Sequence, residues 1–138
     1  MTLELFEAAQ AETCVLLTGT CAKTVAIRIH DLSSQHAGRF VTVDCSATEQ
    51  ELEEQLFKRL TRPEQRRVST LFVEEVGKLS LAQQRRLLEA LDRPMNGGSD
   101  GWTRVIACSS ESLLERVSTG TFDDRLFYRL NAIHLDLL

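Results

Sequence analysis

Short apolar runs alternate along the chain with stretches in which apolar positions return every three or four residues. The runs are Cys14–Thr18, Phe40–Asp44, Thr70–Glu75, Thr103–Cys108 and Ala132–Leu137. Their near-continuous apolar character fits strands covered on both faces. Between them, Lys23–Leu32, Thr48–Leu60, Ser80–Leu91 and Ser112–Val117 have helical spacing. Thr2–Gln10 reads as a leading helix with Leu3 and Phe6 facing inward and Leu5 as a further inward candidate. Thr48 followed by Glu51, and Ser80 followed by Gln83, have the form of capping boxes. Pro63 and the run from Pro94 to Gly101 mark loops. This alternation predicts an α/β fold with one five-stranded parallel sheet between two helical layers. Val15, Leu17, Val41, Val43, Leu71, Val73, Val105 and Ile133 are its expected buried positions.

In an open parallel sheet, ligands sit at the carboxyl ends of the strands. Those ends carry Gly19, Asp44, Glu74, Glu75, Ser109 and Ser110. A phosphate loop of the form GxxxxGK[ST] needs four residues between its glycines, so that successive backbone N–H groups wrap the phosphates. Here only Thr20 and Cys21 stand between Gly19 and Ala22, which takes the place of the second glycine and precedes Lys23 and Thr24. An ordinary strand-to-helix turn accounts for the same residues. Glu74 and Glu75 read equally as solvated charges at a strand end.

With 138 residues, 43% of them apolar, the chain suits one compact domain over 1–138. A net charge of −4 argues against a surface that binds nucleic acid as a whole. No apolar run approaches the roughly 18 residues of a membrane span, and no basic-then-apolar leader opens the chain, so a cytoplasmic protein is expected. Cys14, Cys21, Cys45 and Cys108 form no CxxC pair, which predicts buried, reduced thiols and neither zinc nor a disulfide. Five bases and one acid lie in the stretch from Lys58 to Arg67. A solvated helix end explains them, with an anion or partner contact as the alternative.

Taken in order, several segments resemble the central AAA+ ATPase domain of the bacterial sigma-54-dependent transcription activators, over nearly the whole chain. Cys14-Val-Leu-Leu-Thr-Gly19 looks like the family's first strand and phosphate-loop entry. Phe40-Val-Thr-Val-Asp-Cys45-Ser-Ala is similar to "FVxxNCAA", and Glu54-Gln-Leu-Phe57 to "ExELFG". Thr70-Leu-Phe-Val-Glu-Glu-Val-Gly77 resembles "TLFLDEIG", and the segment from Phe122 to Asn131 resembles "FRxDLYYRLN". The resemblance implies a P-loop NTPase-like three-layer sandwich. It also implies roles in a nucleotide site: Gly19, Lys23, Thr24 and Ser110 at nucleotide-binding positions, Glu74 at the metal position, Glu75 at the base and Arg129 at an arginine finger.

The departures imply that these roles are vestigial. The phosphate loop is short. Asp44 stands where the family's Asn restrains the catalytic Glu, and Glu74 where it has Asp. Ser110 replaces the sensor Asn, and Asp123 takes the place of the first finger arginine, with Arg125 nearby. The twelve residues from Lys58 to Ser69 are too few for the "GAFTGA" hairpin that touches sigma-54. The chain reaches Leu138 where the family continues into a helical lid and a helix-turn-helix domain.

The expectation is therefore a degenerate AAA+ core, without the lid or the DNA-binding domain, that acts through protein contacts in a transcription regulator or two-component-type signalling protein. No cofactor is expected, no sigma-54 contact, no direct DNA binding and no membrane. The partner is an unidentified protein, and the chain itself a monomer or weak dimer. Two alternatives stand beside this reading. One is a weakly active ATPase that takes ATP and magnesium. The other is a binding module for another anionic ligand, such as a cyclic dinucleotide.

Overall fold

The computed structural model describes residues 3–11, 13–33, 37–61, 69–92 and 103–137. Five strands form one sheet: β1 (Val15–Gly19), β2 (Phe40–Asp44), β3 (Thr70–Glu74), β4 (Arg104–Ser109) and β5 (Ile133–Leu137), in the order β2-β3-β4-β1-β5. Every pairing is parallel. The strand boundaries fall within one residue of the apolar runs, because a run covered on both faces ends where its apolar residues end.

Alternation along the strands divides the core in two. Val15, Leu17, Phe72 and Ile106 pack on one face with Ala8 and Ala9 of α1 (Leu3–Gln10) and Ala26 and Ile29 of α2 (Ala22–Leu32). Leu16, Val43, Leu71, Val73, Val105 and Ala107 pack on the other. That second face is covered by α3 (Glu49–Leu52), α4 (Lys58–Thr61), α5 (Leu81–Asp92), α6 (Leu113–Ser118) and α7 (Asp124–Leu130). The result is the expected three-layer α/β sandwich. Of the eight strand positions expected inside, Val41 and Ile133 are half-buried, since both lie on edge strands where one neighbour is missing.

Four expectations need correction. Leu3 and Phe6 are 71% and 44% exposed. The helix α1 instead seats its small residues Ala8 and Ala9, with Leu5 packed beside them, because alanine lets the helix backbone lie close to the sheet. Arg104, buried at the start of β4, fastens this arrangement by donating to the carbonyls of Ala8 and Ala9 at the end of α1. Second, the stretch Thr48–Leu60 is not one regular helix. Between α3 and α4 it widens into a π-helical turn, Glu53–Phe57. The wider turn puts Leu52 and Phe57, five residues apart, on the core side together with Leu56. Arg86 covers the Phe57 ring at 4.1 Å and pairs with Glu53 at 2.7 Å.

Third, α7 was not foreseen as a helix. Asp123 caps it, accepting from the amides of Arg125 (2.8 Å) and Leu126 (3.3 Å), while Leu126 and Leu130 face inward. Fourth, the thiols are not uniformly buried: Cys45 is, Cys14 and Cys108 are half-buried, and Cys21 is exposed. Of the two expected capping boxes, that of Ser80 and Gln83 forms with both bonds, and at the other Thr48 accepts from the Glu51 amide. The expected loop from Pro94 to Gly101 lies outside the described residues, as does most of the Lys58–Ser69 connection. Among the described residues, no helix is long and apolar enough to cross a membrane.

Candidate functional site

The carboxyl ends of β1, β3 and β4 surround a hollow of about 250 Å³, lined by Gly19, Ala22, Lys23, Phe72, Glu74, Glu75, Cys108, Ser109 and Ser110. Topology brings these residues together from three distant parts of the chain. Five of the expected site residues, Gly19, Lys23, Glu74, Glu75 and Ser110, meet here. Thr24 is exposed in the first turn of α2. Phe72 and Cys108 were not singled out beforehand, although strand alternation places them beside Glu74 and Ser110.

The turn between β1 and α2 is tight. Gly19 has φ +99°, and a Cβ there would overlap the carbonyl oxygen of Leu137. That same carbonyl accepts the Thr20 N–H at 2.9 Å. Cys21 follows in the left-handed region at φ 62°, and α2 begins at Ala22 without a side-chain cap. No acid stands in the first turn of α2, and the Lys23 ammonium forms no ion pair among the described residues.

Glu75 is the second left-handed residue, at φ 55°. A non-glycine residue held there is strained, and the surrounding bonds must hold it. Its carboxylate is turned onto Ser110: Oε1 accepts from the Ser110 amide and Oε2 from the Ser110 hydroxyl, each at 2.7 Å. Asp44 bonds within its own turn. Its Oδ1 accepts from the amide and the hydroxyl of Ser46, at 2.9 and 2.7 Å. These two bonds hold the Asp44 carboxyl below the usual carboxylate range.

The residues at the two finger positions are held elsewhere. Arg129 donates to the Leu91 carbonyl at 2.6 Å and pairs with Asp92 at 3.1 Å, both at the end of α5. Asp123 is the cap of α7 and pairs with Arg125 at 3.3 Å. Neither residue lines the hollow.

Comparison with known proteins places this architecture. The family model of the sigma-54 interaction domain matches residues 2–136. The sigma-54-dependent transcriptional activator SfnR of Pseudomonas putida is 32% identical, over 96% of this chain and 42% of its own length. The regulatory protein AtoC of Escherichia coli is 34% identical, over 87% of this chain and 30% of its own. The chain thus spans less than half of either relative. The crystal structure of NtrX from Brucella abortus in complex with ATP superposes with a TM-score of 0.78 at 25% identity, over 96% of this chain and 35% of that one. The P-loop NTPase domain of the sigma-54 transport activator from E. coli superposes with a TM-score of 0.71, over 98% of this chain and 89% of that one. At 19% identity this last likeness speaks for the fold alone. The chain belongs to the sigma-54 interaction domain family, the domain that its relatives carry as transcriptional regulators.

Proposed function

We propose that this chain is a non-hydrolysing member of the family, working as a regulatory protein-interaction module in a transcription regulator. The observation that carries the reading is the Glu75 carboxylate. A general base must be aimed at the water it activates, and here the carboxylate is turned onto Ser110, which donates one hydrogen bond to each oxygen.

Three further features support it. The turn has two residues fewer than a phosphate loop, and its Thr20 N–H is bonded to Leu137. Glu74 and Glu75 set two carboxylates in the hollow against one ammonium, that of Lys23, among the described lining residues. Arg129 and Asp123 are held within the chain's own helices. Phosphoryl transfer relies on positioning and on cations around the phosphates. A magnesium triphosphate does not fit this set of residues. Glu74, Glu75 and Arg129 are then vestiges of catalysis, and Gly19, Lys23, Thr24 and Ser110 vestiges of a nucleotide site.

The partner is a protein other than sigma-54, since the connection from Lys58 to Ser69 is too short for a projecting hairpin. Phosphate release from Mg-ATP tests the reading: no release above background is expected. Turnover that Glu75→Gln abolishes would establish the weak ATPase instead. A saturable complex with sigma-54 would overturn the partner assignment.

A further inference from the structure

The strand β5 meets the turn of the candidate site through two sets of bonds. On the backbone, Gly19 lies in register with Leu137, whose carbonyl accepts the Thr20 N–H at 2.9 Å. One residue earlier, Thr18 lies opposite Asp136 and two residues from His134 along the pairing. Its hydroxyl donates to Asp136 Oδ1 at 3.0 Å and contacts His134 Nε2 at 2.8 Å. A hydroxyl has one proton to give. With that proton on Asp136, His134 carries its proton on Nε2 and donates to Thr18. A directed chain runs from imidazole through hydroxyl to carboxylate, across the β1–β5 seam.

This network has no part in the hollow. Thr18 shares the sheet face of Leu16, whereas Ala22 packs with the core on the opposite face. It has no core to support either, since His134 and Asp136 are exposed. What it does is fix the register of β5 at the end where Leu137 closes the turn. A short strand at the sheet edge, with β1 as its one neighbour, has no second partner to hold its register.

We propose that β5 is a strap on the Gly19–Ala22 turn. While the Thr18 network seats it, Leu137 holds the Thr20 N–H and keeps the turn closed; when the end of β5 lifts, that N–H is released and the turn can change shape. The proposal rests on the closed turn of the preceding reading and adds what controls it. Its regulatory consequence is that any event displacing β5 is felt at the hollow.

Amide hydrogen exchange on the full chain, resolved by residue, tests it with Thr18→Val and Thr18→Ser. Valine keeps the shape and removes the hydroxyl; serine restores the hydroxyl. Loss of two hydrogen bonds should speed exchange at Thr20 by about tenfold, with the amides of Val15 and Leu17 unchanged and the serine variant close to the native chain. Unchanged exchange at Thr20 in Thr18→Val, or acceleration spread equally along β1, overturns the strap. Should Thr18→Val fail to fold, Asp136→Ala on the exposed end of the network serves the same comparison. A parallel titration with inorganic phosphate separates the two readings. Shifts of the turn amides in the native chain would overturn the closed turn itself, whereas a silent native chain with unaltered Thr20 exchange in the variant sinks the strap alone.

Discussion

Replacing Gln84 by leucine should destabilise the protein more than any exposed substitution, although the two side chains have similar volume. Gln84 is fully buried in α5. Its amide donates to the carbonyls of Leu79 (2.9 Å) and Thr121 (3.1 Å), and its oxygen accepts from the Asp123 N–H at 2.8 Å. One side chain therefore joins the start of α5 to the segment that caps α7. Leucine would leave the Leu79 carbonyl and the Asp123 N–H without that partner, whereas the Thr121 carbonyl keeps the Arg116 guanidinium at 3.3 Å. Each unsatisfied group costs about 1–3 kcal/mol, and the added apolar burial offsets part of the total. A net loss of about 3 kcal/mol follows, or a fall of about 10 °C in Tm for a chain of this length. Urea denaturation of both proteins measures it, with equal slopes required for the comparison. A loss below about 1 kcal/mol would refute the reasoning, since it would mean that relaxation or water satisfies both groups.

The remaining predictions concern the turn, the thiols and the caps. Gly19→Ala should cost at least about 2 kcal/mol, because φ +99° is unfavourable for alanine and its Cβ overlaps the Leu137 carbonyl; a Tm within 2 °C of the native value, on a scale of roughly 2–4 °C per kcal/mol, would contradict this. With a thiol-reactive dye at pH 8, one thiol, Cys21, should react fast. Cys45 should stay silent until the protein unfolds, because burial, reinforced by the negative charge of Asp44, pushes its thiol up to about 12. Two or more fast equivalents would contradict that. Burial raises the Asp123 carboxyl, but hydrogen bonds from the Arg125 side chain and from the amides of Leu126 and Arg125 outweigh it and hold the group below its ordinary value. A folded value below the unfolded one means stability that is present above about pH 4 and is lost as pH falls through the folded value. Urea midpoints between pH 6 and pH 2.5 should fall less steeply in Asp123→Asn; equal slopes would show that Asp123 carries none of the acid sensitivity.

The strands were legible because a strand covered on both faces leaves an uninterrupted apolar run, and the edge positions Val41 and Ile133 misled only because burial there depends on a missing neighbour. The helix α7 was hidden by its composition. Arg125, Tyr128 and Arg129 interrupt the apolar positions, and Asp123 drew attention as a replaced finger rather than as a cap. In α1, the large residues Leu3 and Phe6 outweighed the alanines in the sequence pattern, yet small residues let a helix approach closely. The members of the site followed from strand-end topology. Their bonds did not: Glu75 with Ser110, Thr20 with Leu137 and Arg129 with Asp92 join positions far apart in the chain, and no local pattern encodes which partner a side chain finds.

The Gly19–Ala22 turn is closed onto Leu137 and the Glu75 carboxylate is turned onto Ser110. Titration calorimetry with millimolar Mg-ATP tests this most directly on the intact chain. No heat beyond dilution is expected, in the native chain and in Lys23→Ala alike. A stoichiometric, magnesium-dependent isotherm in the native chain that disappears in Lys23→Ala would contradict it.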